Sequence, residues 1–559
     1  MDFKQNTSNQ PLKIVSLGGF GRVTSNMFVY EYGPDILLVD CGMGFPTQDM
    51  LGVDLLIPDI NYLKTKAGKI RGLVLTHGHE DHVGALAYIL PQIKNVPVYA
   101  SKLTAALVMD KLAEYENMPQ KVNVLPTGQP LKLGEFTVES VHVSHSIPDA
   151  TNLIIKTPVG TIYHGSDYKF DFTPVDGILP DVVRIAAAGA EGVQLLLSDC
   201  LGSERNGHTP SERTLEEMFD REISHCQGKV IVTTMSSNIS RWQQAVDTAV
   251  RHGRRVAILG RSIDRNLSVS AKLGYFKIPK GAMLDAKQIR KLPPKNVCLL
   301  AAGSQGQAGS AMERLATGEH RDAQISVGDK VIFSSDYIPG TEGTTQSLID
   351  ALSKAGATVI YSNITDNLHV SGHGSKQDHL LMAALTRPKY LLPIGGTWRH
   401  MVQYAKVLGE MGYASDKILL PEQNQSIEVY PDRVKLGPVV EVRNVMVDGL
   451  GVGDVGNVVL RDRQLLAGEG IVVAVVEIDQ SNPGQINKID LISRGFVYAK
   501  EHSQLLIEAG NMVKQTVAKR KGRIDSEKFM RDMVADILER YFFEKTHRRP
   551  MILPVIAEV

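Results

Sequence analysis

Along the first two hundred residues, short runs of aliphatic and β-branched side chains alternate with turn residues: LKIVSLGG, DILLVDCG, IRGLVLTHG, VPVYAS, FTVESVHVSHS, NLIIKTPVGTIYHGSD and GVQLLLSDC. Runs of this kind predict buried strands. Many of them end in a residue able to do chemistry, namely Asp40, His77, His145, Asp167 or Asp199. Reactive groups on loops at strand ends, above a rigid sheet, are how a layered α/β enzyme builds its site. From about Ser211 the pattern changes. SERTLEEMFDREISHC opens on a cap-like Ser, KVIVTTM and RRVAILG are buried-strand runs, and SRWQQAVDTAVRHG between them has helical spacing of apolar positions. NVCLLAAGSQGQ and DKVIFSSDYIPGTEG repeat a strand followed by a Gly/Ser loop, which is either a phosphate cradle or a plain turn. After Leu368, HVSGHGSKQDHLLMAAL and KYLLPIGG return to the style of the first lobe, so the middle lobe reads as an insertion. Near Arg443 the pattern changes again: DGLGVGDVGNVVLRDRQLLAGEGIVVAVVEID predicts strands joined by turns, and the last sixty residues predict two helices.

The chain has 559 residues, which at roughly 100–200 residues per domain suggests three or four domains. It carries 61 basic and 61 acidic side chains, so its total charge gives no sign of a nucleic-acid or membrane partner. Locally the picture differs: Asn511 to Pro550 holds eleven Lys/Arg against six Asp/Glu. Cys41, Cys200, Cys226 and Cys298 lie far apart, which suits a reducing compartment. The N-terminal segment lacks the apolar core of a secretion signal, and GIVVAVVEI is strand-sized rather than membrane-sized. A cytoplasmic protein with no membrane partner is expected.

The densest chemical signal is His77-Gly78-His79-Glu80-Asp81-His82, directly after the strand GLVLT. Imidazoles and a carboxylate at such a turn can converge on a metal, zinc or, in an oxygen-rich site, manganese. The bland reading is a solvated His-rich loop. His145 in HVSHSIPD and Asp167 in YHGSDYKFD, each weak alone, complete a two-metal set. His77, His79 and His145 would hold one ion, Asp81 and His82 the other, and Asp167 would bridge.

HGHEDHVG, SHSIPD, SDYKFD, LLSDC, SNISR, GRS, GSQG, IPG, HVSGHG and the closing RRPMILPVIAEV together resemble the ribonuclease J family. The resemblance implies an α/β architecture: a metallo-β-lactamase αββα sandwich (residues 11–212 and 369–440), an inserted β-CASP domain (213–368) and a small α/β C-terminal domain (441–559). It implies a metal-dependent RNA hydrolase that works from the 5′ end toward the 3′ end in RNA decay and ribosomal RNA maturation, cutting internally where its channel admits internal RNA. Asp40 would orient metal-site histidines, and Asp199 with His373 would protonate the leaving group. His369 and Ser371 would grip a phosphate. Ser237, Asn238, Arg261, Gly303 and Ser304 would line the RNA channel and a pocket for a 5′-monophosphate. The C-terminal lobe would drive a homodimer or homotetramer, or a hetero-oligomer with a paralogue.

The chain departs from that pattern at Gly395, where relatives place a metal-binding histidine. Three readings stay open. Water completes the second metal site, which is then weak or empty; His400 swings in as a substitute; or the chain is a weakly active or inactive RNA-binding subunit that joins an active relative. GGFGRVTSN and Gln307 are smaller departures. A small-molecule metallo-hydrolase, acting on a thioester or lactone, is the remaining class, for which a middle lobe and a basic C-terminal stretch are unneeded. On the ribonuclease reading Asp81, Asp167 and Asp199 are committed to the site, leaving Arg241, Arg261 and the basic stretch free to meet phosphates.

Overall fold

The computed structural model describes residues 10–93, 95–116, 118, 121–338, 340–479, 482–497, 503–519 and 526–558. Arg520, Lys521 and Arg523 of the basic stretch lie outside these. Two compact units are present: Met1–Phe45 with Leu56–Val445, and Pro46–Leu55 with Met446–Val559.

In the first unit, an eight-stranded sheet runs in the order Val434–Val439, Gln425–Val429, Leu12–Gly18, Met27–Tyr32, Asp35–Val39, Ile70–Leu75, Val98–Ala100, Asn123–Val124. A six-stranded sheet runs Tyr390–Ile394, Leu195–Asp199, Gly160–Gly165, Thr151–Thr157, Phe136–His142, Leu131–Leu133. Their inner faces share one core, in which Leu12, Ile14, Phe28, Tyr30 and Val39 meet Phe136, Val138, Leu153, Ile155 and Leu197. On the outer face of the six-stranded sheet, Ile154, Tyr163, Leu196 and Leu391 pack on Ile185, Met382, Met401 and Tyr404 of three helices. The αββα sandwich expected from the sequence is therefore present. Strands buried on both sides lose the alternation of a half-exposed strand, which explains the continuous apolar runs.

Strand Leu195–Asp199 is parallel to and directly beside Tyr390–Ile394. The chain leaves the sandwich after Asp199, builds another domain, and returns as the neighbouring strand. Within the insertion a sheet runs Arg255–Leu259, Val297–Ala301, Val230–Thr233, Lys330–Phe333, Thr358–Ile360, with neighbouring strands parallel. Helices cover both faces, through Leu215, Phe219 and Trp242 on one side and Met312, Leu315 and Leu352 on the other. Ser237 and Asn238, Arg261, Gly303 and Ser304 all follow the C-terminal ends of these strands, the edge where open parallel sheets present ligand sites.

The second unit has a sheet ordered Asn482–Arg494, Ile471–Asp479, Met551–Glu558. Helices Ser503–Lys519 and Glu527–Thr546 cover one face, where Val472, Ala474 and Val476 meet Val513, Met530 and Phe542. One sequence expectation fails here: NVVLRDRQLLAGE, read as strand and turn, is the helix Asn457–Glu469. Its β-branched start resembles a strand, but the Leu, Arg, Gln and Ala that follow favour a helix, and Gly470 at φ 78° ends it.

Candidate metal centre and cleft

Strand Ile70–Leu75 delivers the HGHEDH segment to the edge of the sandwich. His77 follows it, His79 sits just before the short helix Glu80–Val83, and Asp81 and His82 lie within that helix. His145 follows strand Phe136–His142, and Asp167 follows Gly160–Gly165. These ends meet. His79 Nδ1 lies 3.1 Å from both His77 Nε2 and His145 Nε2. Asp167 Oδ2 is 3.7 Å from His77 Nε2, 3.6 Å from His145 Nε2 and 3.4 Å from His82 Nε2. Two groups of donors with mutual distances within 4.8 Å result, His77-His79-His145-Asp167 and Asp81-His82-Asp167.

Each ring is turned so that a lone pair faces inward. His145 Nδ1 donates to the Gly372 carbonyl at 2.8 Å, His82 Nδ1 donates to Asp40 Oδ2 at 2.7 Å, and His77 Nδ1 donates to Thr76 Oγ1 at 3.1 Å. Thr76 Oγ1 in turn donates to Asp40 Oδ2 at 2.8 Å. Asp40 achieves this from a left-handed backbone, φ 60°, which Asp tolerates better than most residues. Gly372 is equally specific: a Cβ there would stand 2.6 Å from His145 Cε1. Imidazole lone pairs 3.1 Å apart repel unless a cation lies among them, and donors about 2.0–2.1 Å from a common centre have nearly this spacing. The donor set fits a metal ion of the nitrogen- and oxygen-loving kind.

The electrostatics agree for the first group. Burial, with the neighbouring imidazoles, holds His77 and His145 well below the usual histidine range, and burial pulls His79 down to about 3, so all three offer neutral nitrogen donors. At His82 burial pulls the ring down, but Asp167, Asp81 and Asp40 outweigh it and hold His82 well above the usual histidine range. Burial raises the Asp167 carboxyl, but His82 and His373 outweigh it and hold Asp167 well below the usual carboxylate range. Burial pushes Asp81 up to about 6.

Beside the metal set stands a second pair. His373 Nδ1 lies 2.8 Å from Asp199 Oδ2, and His373 Nε2 lies 3.9 Å from Asp167 Oδ2. Burial pulls His373 down, yet Asp199 and Asp167 lift it to about 9. Ser371 Oγ accepts from the His373 N–H at 3.1 Å, and His369 Nδ1 accepts from Arg241 Nη1 at 2.8 Å.

Gly395 lies at this junction with φ 67°; a Cβ built on it would stand 3.8 Å from Asp167 Oδ1 and from Asp199 Oδ1. There is room for a Cβ, on a left-handed backbone, but no ligand atom. His400 does not replace it. Its Nδ1 accepts the Thr397 N–H at 3.1 Å, capping helix Trp398–Glu410, and its Nε2 faces Glu204 at 3.5 Å. Both ring nitrogens have partners here, and His400 belongs to neither donor group, which stands against the substitution reading. Among the described residues the second set offers three groups that could bind a metal.

The insertion's residues fall into two kinds. Arg261 is exposed and begins helix Arg261–Leu273, and Ser237 is half-buried. Asn238 is buried with its Oδ1 capping helix Ile239–Arg251, Ser304 is buried, and Gly303 has φ 111° with no space for a Cβ beside Ser310. Arg241, expected to be free for phosphates, is instead fully buried. The sequence also gave no sign of Asn26, whose Nδ2 lies 3.1 Å from His82 Nε2, nor of the Gly372 carbonyl. Gln305 is a further silent member: it accepts from Ile338 N and donates to the Asp336 carbonyl, holding the loop that faces His369.

Family models match three stretches of the chain: the metallo-beta-lactamase superfamily over residues 20–171, the ribonuclease J beta-CASP domain over 227–352, and the ribonuclease J C-terminal domain over 458–559. Among curated proteins, the chain is 37% identical to Ribonuclease J2 of Bacillus subtilis, covering 100% of both chains. It is 35% identical to Ribonuclease J 1 of Streptococcus pyogenes, over 97% of each, and 34% identical to Ribonuclease J 2 of Staphylococcus aureus, over 99% of each. Among solved structures, a protein of unknown function from Enterococcus faecalis shares the fold, with a TM-score of 0.54 at 16% identity, covering 75% of this chain and 100% of that one.

Proposed function

The chain belongs to the ribonuclease J family, and from that premise we propose that it is a metal-dependent ribonuclease that removes nucleotides from 5′-monophosphorylated RNA in the 5′-to-3′ direction, and cuts internally where its channel admits internal RNA. Its cellular work on this reading is RNA decay and ribosomal RNA maturation in the cytoplasm. His77, His79 and His145 would hold one divalent ion, Asp81 and His82 would hold a second, and Asp167, which stands between the two groups, would serve both. Zinc suits the imidazole-rich set and manganese the carboxylate-rich one. Ions held there supply Lewis-acid stabilisation of charge on the phosphorus oxygens and acidify water.

The chain's own residues do the rest. Asp40, Thr76 and the Gly372 carbonyl hold the ring protons outward, so the inward lone pairs are fixed before any ligand arrives. Asp81 orients the attacking water. Asp199 Oδ2, 2.8 Å from His373 Nδ1, favours the protonated ring, whose Nε2 proton is then available to the leaving 3′ oxygen. His369 and Ser371 hold the scissile phosphate, while Ser237, Asn238, Arg261, Gly303 and Ser304 shape the channel and the 5′-phosphate pocket.

The observation that carries this reading is the convergence of three inward imidazole nitrogens on Asp167, with the His373–Asp199 pair against the same carboxylate. A second reading rests on Gly395: an RNA-binding subunit with little turnover of its own, joined to an active relative. Digestion of 5′-monophosphorylated RNA with added zinc or manganese, with His77→Ala as control, separates the two. RNA binding without metal-dependent turnover in the wild type, together with turnover created by Gly395→His, would show the enzyme reading to be wrong.

A further inference from the structure

Arg241 lies on helix Ile239–Arg251, and no part of its side chain reaches solvent. Its Nη2 donates to Glu212 Oε1 at 2.8 Å and to the Val370 carbonyl at 2.9 Å; its Nε faces Glu212 Oε2 at 3.3 Å. Its Nη1 donates to the Ser334 carbonyl at 2.7 Å and to His369 Nδ1 at 2.8 Å. Five N–H groups thus meet four partners. Glu212 lies where the chain leaves the sandwich, His369 and Val370 where it returns, and Ser334 just beyond strand Lys330–Phe333 of the inserted sheet. Lys169 Nζ, also buried, stands 3.7 Å from Glu212 and 3.8 Å from Asp171, so the two cations face two carboxylates.

A guanidinium keeps its proton in proteins and can only donate. His369 Nδ1 must therefore accept, and the single proton of the neutral ring must sit on Nε2. His369 is half-buried, and its Nε2 stands 3.7 Å from Asp336 Oδ2. We propose that Arg241 is a positioning residue that fixes His369 as the Nε2–H tautomer, so that the ring always presents a hydrogen-bond donor to an RNA phosphate oxygen. The arginine acts on RNA through the histidine, from inside the protein. The phosphate role of His369 is part of the function proposed above; the tautomer assignment stands on the hydrogen bond alone.

The direct test is nitrogen NMR of the full chain labelled with [15N]histidine, with His369→Gln to assign the signal. The expected result is a neutral ring with a protonated Nε2 and a bare Nδ1 between about pH 5.5 and 8. A proton on Nδ1, or a charged ring in that range, overturns the proposal and needs no arginine variant to do so. A second arm measures binding of a single-stranded oligoribonucleotide bearing a 5′-monophosphate, in chelator, so that cleavage plays no part. Arg241→Lys keeps the buried charge, but one ammonium cannot span Glu212 and His369 together. It should weaken binding about tenfold in the wild-type background and have almost no effect in the His369→Gln background. Equal weakening in both backgrounds means that Arg241 is merely structural and sinks the proposal. A wild type that shows the expected tautomer yet binds no RNA defeats the ribonuclease reading, and with it the phosphate role, while the positioning of the ring stands.

Discussion

Replacing Gly395 with His tests residue-level chemistry most sharply, because there is room for a Cβ but no ligand atom. A Cβ there meets Asp167 and Asp199 at ordinary contact distance, 3.8 Å. The left-handed backbone costs a non-glycine residue about 1–2 kcal/mol. Against this, a ligand added to a three-ligand set should raise affinity for the second ion by at least the roughly 10–100-fold that an outer partner contributes. Metal titration of Gly395→His should therefore show one site unchanged and the other tightened; two unchanged sites would mean that the new ring points elsewhere. Asp40→Asn is the complementary removal. The amide preserves shape but can turn an N–H toward His82, and metal affinity or turnover should fall about 10–100-fold with little loss of fold. The metal set was legible because its chemistry is crowded into a few residues at strand ends. What holds those residues was not. The Gly372 carbonyl is backbone, Asn26 sits in a segment that departs from the family pattern, and His400 and Arg241 carry chemistry that sequence reads as available until the helix cap at Thr397 and the contact with Glu212 commit them.

At the scale of elements, the insertion could be inferred because strand-then-histidine texture stops near Ser211 and resumes after Leu368, and the strands Leu195–Asp199 and Tyr390–Ile394 that bracket it are neighbours. Two things were hidden. Helix Asn457–Glu469 buries only Leu460, so it has no apolar stripe to announce it. Residues 46–55, which adjoin the first lobe in sequence, cluster instead with the C-terminal unit, a tertiary choice that local pattern does not record. The packing of helix Ile239–Arg251 offers a graded test. Trp242 is fully buried in the core of the insertion, and Trp242→Ala should cost about 3–5 kcal/mol in denaturant unfolding. Arg265, which joins helix Arg261–Leu273 to Asp110 of helix Lys102–Leu112 and to Glu114 in the turn just after it, makes partly exposed ion pairs. Arg265→Ala should change stability by less than about 1 kcal/mol. If the two variants unfold alike, this apportioning between core and surface is wrong.

For the molecule as a whole, a net charge of zero hides an uneven distribution. The carboxylates of Asp81, Asp167 and Asp199 are gathered at the metal-binding candidates, whereas Arg261 is exposed at the edge of the inserted sheet. RNA binding should then lose affinity with salt through a small number of phosphate contacts, giving a shallow slope of log affinity against log salt that Arg261→Gln lowers by about one contact. Self-association of the kind expected for the C-terminal lobe would draw on another surface. In the C-terminal sheet, Val472, Ala474 and Val476 face the helices, so Val473 and Val475 face away. Register places Ile492 and Leu553 beside Val473, and Asp490 and Val555 beside Val475. Ile492, Leu553 and Val555 are 46%, 49% and 41% exposed. A contiguous apolar row next to the Lys488–Asp490 ion pair is a surface that a twofold-related copy could cover with its own. If self-association uses this face, Leu553→Lys with Val555→Lys should reduce the mass in analytical ultracentrifugation to that of one chain, 61.2 kDa, while the helical signal and the unit's unfolding midpoint hold. An assembly that survives both lysines must be built elsewhere, and the exposed row would then be an ordinary surface of a privately folded domain.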